Sequence, residues 1–522
     1  MEMITAIFVL LLAPFIMLVM RLLRARIGYL WLTALMGVLA AEVLVLFSKS
    51  AIPQTSVIPA LGSRELISFS PTLLLDEISW VYGLAIVTLI LAILLTVAVR
   101  RQALSWRAWA SSLTMAACGL FAITANDPLT LLLAWSALDL VELLILIIVV
   151  EQHEIHTQGI TAFAARLAGS ALMLIAELQA RTNGESFTLI SIPTNISPIV
   201  LVAAAMRLGV LPLHVPFFEE PAIRRGLGTS LRLIPAAASL VIVTRTADAG
   251  VPEKWLNLPM QNLLFALVGI SALYGAFRWA TATDELAGRP FWILGLASFS
   301  VAEAIQGRPT ASLAWSLACI LSGGLIFLFS ARNRFLLPLP IIGLLGLTAV
   351  PFSPTSTVVL SLTSPAGALV ILFWLAHGLL LYGYAHFPMR TIDTPDSSHR
   401  GFQVVYVLGL ALLATTHWGI GWTQGVRFKP DWWWSLIPIG IAATIGIWNR
   451  KGTHIPQNII FLGARVFSLS WLYRLFAMLY RGLGFTIERI SRVLEGDGGL
   501  LWTVILIILF TSWLLTIRGG VP

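Results

Sequence analysis

Apolar runs long enough to cross a lipid bilayer recur along nearly the whole chain. The hydrocarbon core of a bilayer is about 30 Å thick, and a helix needs about 20 apolar residues to span it. Because 58% of the 522 residues are hydrophobic and 11% are charged, no soluble catalytic domain fits between the runs. An all-α polytopic membrane protein with about 14–16 transmembrane helices is therefore predicted. About sixteen runs occur, at 4–20, 27–47, 78–99, 108–124, 129–150, 160–180, 196–214, 227–245, 260–280, 290–305, 311–330, 336–360, 365–386, 401–420, 433–449 and 500–517.

The loops between the runs predict the orientation of the chain. Cytoplasmic loops carry an excess of Arg and Lys. Alternate loops here do so, at Arg21, Arg24, Arg26, Arg100, Arg101, Arg107, Arg224, Arg225, Arg332, Arg334, Arg390, Arg400, Arg450 and Lys451. The N-terminus is therefore expected outside the cytoplasm, in an inner (plasma) membrane. The net charge of +8 then indicates contact with anionic lipids and not with nucleic acid. The first run follows Glu2 without a basic region or a cleavage pattern, so we expect a retained helix and not a signal peptide.

The chain changes character at residues 454–497, where arginines alternate with aromatic and aliphatic residues at a density that a membrane span would not carry. An amphipathic lateral helix is predicted here, running roughly 60 Å along the cytoplasmic surface if it is continuous. Two short interfacial helices with a loop at 482–484 are the alternative. The run at 500–517 then re-enters the membrane as the last transmembrane helix.

Two of the runs are interrupted by proline. Pro212, Pro216 and Pro221 follow the seventh run, and four prolines fall in the twelfth, between 336 and 360. Broken helices in corresponding positions of two halves are typical of inverted repeats with a polar path between them. Two inverted five-helix repeats are therefore predicted. The expected division is 1–107 for the N-terminal helices, 108–245 and 260–386 for the repeats, 401–450 for the C-terminal helices, 454–497 for the lateral helix and 500–517 for the last helix.

Charged residues inside the apolar runs are the strongest functional signal. A charge near the bilayer midplane costs from about 2.5 to more than 10 kcal/mol, so it normally faces a polar cavity and marks an ion or substrate path. Asp139 and Glu142 share one face of the fifth predicted helix. They are expected to pair with Arg166, Arg207 or Arg232. The arrangement is either an element of an ion path or an ion-pair network that fixes helix packing.

Isolated polar residues in the runs have two interpretations each. His214 lies at the break after the seventh run and would either pass a proton between waters or hydrogen-bond to backbone. His377 and Glu42 are path candidates or packing residues. Cys118 and Cys319 are far apart and lack metal-ligand spacing, so they are expected to be packing residues. No cofactor site, metal site or catalytic residue is predicted, since phosphate-binding loops, cysteine clusters and haem-type histidine pairs are missing from the sequence.

One order of motifs resembles a known family. The segments are Arg207-Leu-Gly-Val-Leu-Pro-Leu-His214, the acidic pair Glu219-Glu220, Arg232, and Ala236-Ala-Ala-Ser-Leu-Val-Ile-Val-Thr-Arg245, with Leu75-Asp-Glu-Ile-Ser79 and Arg166-Leu-Ala-Gly169 before them. This order is similar to the antiporter-like membrane subunits of respiratory complex I (NADH-quinone oxidoreductase), of Mrp antiporters and of membrane-bound hydrogenases. The resemblance covers roughly residues 70–360. The amphipathic segment followed by one final span is similar to the L-type subunit of complex I.

The resemblance implies a subunit of a multisubunit ion-translocating assembly, with other membrane subunits as partners and any redox chemistry done by them. The family's proton-moving members carry ionisable side chains at defined places, and this chain departs from them. Arg207 stands at a lysine position, Ser136 at a glutamate position and Arg232 at a histidine position, while Ser316 and Val359 stand where later lysines would be. The chain's lysines all lie in loops or at their edges, at positions 49, 254, 429 and 451.

These departures lead to three hypotheses. The first is a complex I-like membrane subunit whose proton path is lost, or rebuilt in its first half with Asp139 or Glu142 in the role of the missing glutamate. The second is a cation/proton antiporter or an inorganic-carbon-uptake subunit on the same fold. The third is a structural scaffold that conducts nothing, whose embedded charges only fix packing.

Overall fold

The computed structural model describes residues 2–23, 30–59, 70–97, 106–149, 153–215, 225–250, 258–330, 336–357, 367–389, 400–424 and 431–450, with Met478, Arg481, Gly482, Phe485 and Arg489 beyond them. The chain forms two compact units, Met1–His454 and Ile455–Pro522. In the second unit the five described residues are helical, and the Arg489 guanidinium lies 4.5 Å from the Phe485 ring centroid. Apart from these residues, the predicted lateral helix and the last span lie outside the described residues.

The described part of the first unit is mainly helical and includes a short antiparallel pair of strands. Its helices are α1 (Glu2–Leu23), α2 (Leu30–Ser48), α3 (Glu77–Val97), α4 (Trp106–Ile123), α5 (Pro128–Val149), α6 (His153–Thr182), α7 (Ser197–Arg207), α8 (Arg225–Ala249), α9 (Leu258–Ala280), α10 (Arg289–Ile305), α11 (Pro309–Leu317), α12 (Gly323–Leu328), α13 (Pro338–Leu347), α14 (Val370–His386), α15 (Arg400–Thr423) and α16 (Leu436–Arg450). Strands β1 (Gln54–Val57) and β2 (Thr72–Leu75) pair antiparallel, with Gln54 opposite Leu75.

The predicted polytopic all-α fold is confirmed. Ten of the described helical segments are long and apolar enough to cross a membrane. Each of the first fifteen predicted runs contains at least one described helix, and the seventh and twelfth runs are helical only in their first part. The eleventh run contains α11 and α12, which a π-helical turn at Ala318–Ser322 joins into one bulged rod.

Local capping explains where two of the helices begin. Asp76 precedes α3, and its carboxylate accepts a hydrogen bond of 2.8 Å from the backbone N–H of Ser79. Asp127 precedes α5 and accepts in the same way from Thr130, with Pro128 at the first helical position. Both arrangements satisfy backbone donors that the first turn of a helix leaves without an internal partner.

The two proline-rich runs form short helices followed by irregular backbone. α7 ends at Arg207, and turns continue from Leu208 to Leu213. α13 ends at Leu347, and the turn after it places Ala349 and Phe352 in the left-handed region at φ 56° and 67°. The expected helix breaks are therefore present in both places, while the inverted repeat itself remains a prediction.

The core of the unit lies around α3, α8, α10 and the α11–α12 rod. The most apolar stretch of α8 and that of the α11–α12 rod are completely buried, and that of α3 is 94% buried. α1 and α2 instead expose large apolar side chains such as Phe8, Phe15 and Phe47, as helices that face lipid do. The central position of α8 matters for the site, because three of its arginines reach carboxylates on other elements.

Candidate functional site

Helix α5 carries the two carboxylates of the candidate site. At 1.5 Å per residue, Asp139 lies about 16 Å from the start of the helix, near the middle of its length. Asp139 and Glu142 are three residues apart and lie on one face, as the sequence predicts. Asp139 has no exposed surface and Glu142 is 1% exposed, so both carboxylates require partners inside the protein.

Arg207 meets Asp139 at the point where α7 ends. Its Nη1 and Nη2 donate to Oδ2 and Oδ1 of Asp139 at 2.8 and 3.0 Å, a bidentate pair between two fully buried side chains. Nη1 also lies 2.9 Å from Ser170 Oγ and 3.3 Å from the Arg166 carbonyl oxygen. The guanidinium carbon is 4.3 Å from the centroid of the Trp135 ring. Parallel hydrogen bonds and an aromatic face are the environment that a planar guanidinium uses best.

Gly169 on α6 leaves the space that the Arg207 side chain occupies. A Cβ atom at position 169 would lie 2.6 Å from Arg207 Cγ and 2.8 Å from the Ala203 carbonyl oxygen, well inside van der Waals contact. Gly169 therefore permits the close approach of α6 and α7 that brings Arg207 to Asp139. The Arg166-Leu-Ala-Gly169 motif thus places an arginine and this glycine one turn apart on the same helix.

Two further arginines complete the network. Arg166 from α6 bridges both carboxylates, since its Nη1 lies 2.6 Å from Glu142 Oε2 and its Nε lies 3.3 Å from Asp139 Oδ1. Arg232 from α8 donates through Nη1 to Glu142 Oε1 at 3.0 Å. We call these five side chains the buried charge network: Asp139, Glu142, Arg166, Arg207 and Arg232. The sequence suggests any of the three arginines as a partner of the two carboxylates. In the structure all three arginines contact them.

The two histidine candidates contact backbone in the part of the chain that is described. His214 Nδ1 lies 2.7 Å from the Pro212 carbonyl oxygen, within the irregular segment that follows α7. His377 Nε2 donates to the carbonyl oxygen of Leu347 at 2.8 Å, where α13 breaks. His377 thus satisfies an acceptor that the broken helix leaves open. Glu42 accepts a hydrogen bond of 2.8 Å from Thr88.

Helix α8 carries two more ion pairs, which the sequence reasoning missed. Near its end, Arg245 donates to Asp76 Oδ1 at 3.0 Å and to Ser79 Oγ at 2.7 Å. Two of the motifs that carry the family resemblance therefore meet in space. The signal available in the sequence was Arg245 itself, a charge near the end of an otherwise apolar run.

The start of α8 contacts the second half of the unit. Arg225 pairs with Glu285, which precedes α10, and donates to the carbonyl oxygens of Phe327 and Phe329 at 2.9 and 3.0 Å. These carbonyls lie at the end of α12, where a cation is favourable. Arg225 is predicted from the sequence to be a loop residue, whereas in the structure it is the first residue of α8 and its partner Glu285 is buried.

A metal site is not formed by the described residues, since no group of three His, Cys, Asp or Glu side chains within those ranges is placed to hold an ion. The side chains of the buried charge network form ion pairs, and its two carboxylates are groups of the kind that can bind a proton.

Comparison with known proteins identifies solved structures that share the fold of this chain. The sequence matches no protein-family model and no curated protein. Three solved membrane complexes nevertheless contain chains of similar structure. A chain of the Mrp complex from Dietzia sp. DQ12-45-1b matches over 99% of this chain with a TM-score of 0.70 and 15% identity, and this chain spans 63% of that longer one.

The other two complexes are respiratory. The membrane-bound sulfane sulfur reductase, an archaeal respiratory membrane complex, has a chain that matches 97% of this one at a TM-score of 0.66 and 14% identity, with 99% of that chain covered. A chain of respiratory complex I from Thermus thermophilus with bound NADH matches 85% at a TM-score of 0.59 and 18% identity, again with 99% of that chain covered.

The fold is therefore that of the antiporter-like membrane subunits found in Mrp complexes, respiratory membrane complexes and complex I, as the motifs predict. The chain is a multi-pass membrane protein.

Proposed function

We propose that this chain is a membrane subunit of a complex I-like, proton-translocating assembly. It lies in the inner (plasma) membrane with its N-terminus outside the cytoplasm, and its partners are other membrane subunits and anionic lipids. The fold supports the assembly, and the distribution of basic loop residues supports the orientation. Redox chemistry belongs to the partner subunits.

The observation that carries the proposal is the buried charge network. Five ionisable side chains from α5, α6, α7 and α8 meet where a transmembrane protein has least access to water. Charges at such depth are expensive and mark ion paths. Arginine keeps its proton, because its planar guanidinium spreads the positive charge over three nitrogen atoms. Of these five side chains, the two carboxylates are therefore the groups that can take up and release a proton.

We propose different roles for the two carboxylates on the basis of their contacts. Asp139 is held by the two parallel bonds from Arg207 and by Arg166, so its protonation would disrupt a bidentate pair. Glu142 makes one contact with each of Arg166 and Arg232. We assign Glu142 as the proton-binding group and Asp139 as the fixed anion that keeps the arginines in place. Glu142 would thus take the role of the glutamate that the family carries at the position of Ser136, earlier on the same helix.

Proton binding at Glu142 would weaken the ion pair that Glu142 forms with Arg232 on α8. A neutral Glu142 attracts Arg232 less strongly, and Arg232 lies two turns from Arg225, which pairs with Glu285 in the second half. Helix α8 therefore links the charge state of the first half to contacts of the second. This is the role expected of a subunit that couples proton movement to a change elsewhere in an assembly.

The first experiment is purification of the tagged chain from its native membrane in mild detergent, with its partners identified by mass spectrometry. Co-purifying quinone-reductase or hydrogenase subunits support the proposal. Proton uptake by the isolated complex in vesicles is then compared between wild type, Glu142→Gln and Glu177→Gln. Glu177 is the matched control, because its partner Arg181 is largely exposed at the end of α6. Unchanged uptake in Glu142→Gln would contradict the rebuilt path.

A second candidate is a cation/proton antiporter, which is favoured by the structural match to the Mrp chain over 99% of the sequence. Exchange of a cation for protons by the chain with small membrane partners would support it. A zinc-binding partner would instead support inorganic-carbon uptake. A scaffold role predicts that Glu142→Gln assembles and leaves transport unchanged.

A further inference from the structure

An apolar groove lies between α13, α14 and α16. Its volume is about 580 Å³, which is typical of ligand sites in proteins. The groove is lined mainly by apolar side chains and extends along α16 from Ile439 to Asn449. At 1.5 Å per residue this is a length of about 15 Å, or half of the roughly 30 Å hydrocarbon core of a bilayer. The groove is therefore about as long as one leaflet of that core is thick.

The groove is apolar along its length and polar at one end. The α16 residues that line it are apolar from Ile439 to Ile447, and the last one is Asn449. Asn449 Nδ2 donates to Oη of Tyr382, near the end of α14, at 2.7 Å. We call this end, formed by Tyr382 and Asn449, the mouth of the groove. Trp448 is next to Asn449 and is 62% exposed, and tryptophan is enriched at the level of the lipid headgroups.

The walls of the groove suit a hydrocarbon chain. Met389 and Ile447 line the groove and are 64% and 56% exposed, as apolar side chains on a lipid-facing surface are. Thr348 in the wall already donates its hydroxyl hydrogen to the Leu345 carbonyl oxygen at 2.7 Å. Water in such a groove finds few polar partners, and an empty groove loses van der Waals contacts. A lipid tail is as apolar as leucine and meets neither penalty.

The mouth suits an anionic headgroup. Tyr382 Oη accepts the bond from Asn449, so its own hydrogen can be donated to a further acceptor, and the Asn449 amide has a second N–H. Phosphate oxygens are strong acceptors of such bonds. In the sequence, α16 ends at Arg450, Lys451 is the next residue, and Arg390 follows α14 by four residues. Basic residues next to a membrane-spanning helix attract anionic lipids.

We propose that the groove binds one acyl chain of an anionic phospholipid, with the phosphate at the mouth. Tyr382 and Asn449 donate to the phosphate oxygens, and the acyl chain extends along α16 toward Ile439. The inference goes beyond the proposed function and rests on it only for the orientation, which places the end of α16 at the cytoplasmic leaflet. The polar mouth and the apolar depth of the groove match the two parts of a phospholipid.

The test counts the phospholipid molecules that the purified complex retains. The complex is exchanged into nanodiscs of phosphatidylglycerol and phosphatidylethanolamine in equal amounts, returned to mild detergent and measured by native mass spectrometry. Gly446→Leu places a side chain in the groove, because Gly446 lines it and a Cβ there meets no atom within 4 Å. This variant is expected to lose the phosphatidylglycerol molecule that the wild type retains in the groove.

Gly440→Leu is the matched control. A Cβ at 440 also meets no atom within 4 Å, on the same helix, but Gly440 does not line the groove. Its lipid count should equal that of the wild type. Tyr382→Phe keeps the ring and removes the donor. It is expected to lower the preference of the groove for phosphatidylglycerol over phosphatidylethanolamine by about two- to tenfold, the effect of one hydrogen bond.

The outcomes separate this inference from the proposed function. Equal lipid counts in all variants of a complex that moves protons overturn this inference alone, and they are expected if another part of the chain fills the groove. Loss of a quinone instead of a phospholipid in Gly446→Leu also overturns it. Selective lipid loss in Gly446→Leu, from a complex that moves no protons, supports it and contradicts the proposed function. Where Gly446→Leu does not assemble, an unchanged lipid preference in Tyr382→Phe overturns the inference.

Discussion

Arg207 and Asp139 face each other through two parallel hydrogen bonds of 2.8 and 3.0 Å, and neither side chain has any exposed surface. The pair joins the end of α7 to the middle of α5. A buried ion pair gives little net stability relative to an apolar pair of the same shape, because both charges lose their hydration. Loss of one partner is far more damaging, since the other charge is left buried. The energetics of this site can therefore be tested by removing its members singly and together.

Arg207→Gln should destabilise the protein by about 3–5 kcal/mol, because Asp139 then keeps one arginine contact in place of two. The measurement is the free energy of unfolding of the purified protein in detergent. Adding Asp139→Asn to this variant should restore part of the loss, since no unbalanced carboxylate remains. Equal destabilisation by the single and the double variant would show that Arg207 acts through packing and not through charge.

Gly169→Ala should destabilise by about 1–3 kcal/mol, because its Cβ would overlap Arg207 Cγ and the Ala203 carbonyl oxygen and force α6 and α7 apart. Gly440→Ala on α16 is the matched control, since a Cβ there meets no atom within 4 Å. That change should be neutral or slightly stabilising, because alanine favours helix over glycine. Thermal unfolding of the two variants gives the comparison, and equal melting temperatures would contradict the close-packing argument.

Trp135→Phe should cost about 1–2 kcal/mol. It keeps an aromatic face near Arg207 but loses the hydrogen bond of 3.0 Å from Trp135 Nε1 to the Ala238 carbonyl oxygen. Trp135→Leu loses both contacts and should cost more. A double-mutant cycle between Trp135→Leu and Arg207→Gln isolates the cation–π contact, with a coupling of about 1–2 kcal/mol expected. Strict additivity would mean that the ring and the guanidinium do not interact.

Asp76→Asn should destabilise by about 1–3 kcal/mol, because asparagine still caps α3 but leaves the charge of Arg245 without its carboxylate. Asp127→Asn is the control. Asp127 caps α5 through Thr130 and its described partners are uncharged, so the same change should cost less there. Unfolding in increasing denaturant measures both. A larger effect at Asp127 would show that capping, and not the ion pair, dominates at these positions.

Much of the fold could be predicted from local sequence. Hydropathy depends on each side chain separately. A run of about 20 apolar residues therefore forms a helix wherever it lies in a membrane. Each of the first fifteen runs therefore contains a described helix, although the seventh and twelfth runs are helical only in their first part. Proline acts on its own backbone and its immediate neighbours, so the breaks after α7 and within the twelfth run could also be predicted. The π-helical turn at Ala318–Ser322 carries no comparable local signal.

The candidate site could be predicted only in part. The spacing of Asp139 and Glu142 follows from helical geometry and needs no tertiary information. Their partners lie between 24 and 90 residues away in sequence. Which arginine reaches which oxygen depends on how closely α6 and α7 pack, and Gly169 controls that approach. The pairing of Arg225 with Glu285 and the serine contacts between α10 and α11 depend on packing in the same way.

The sequence by itself determined that this protein is a bundle of membrane-spanning helices with two interrupted spans, and which helices carry buried charge. Those properties depend on transfer of side chains from water to lipid and on backbone restrictions, which act locally. Only the tertiary structure decided that Asp139, Glu142 and three arginines form one network, and that Ser300 on α10 contacts Ser312 and Ser316 on α11. Hydrogen bonds and ion pairs between helices act over about 3 Å, so they are set by the relative positions of helices far apart in the chain.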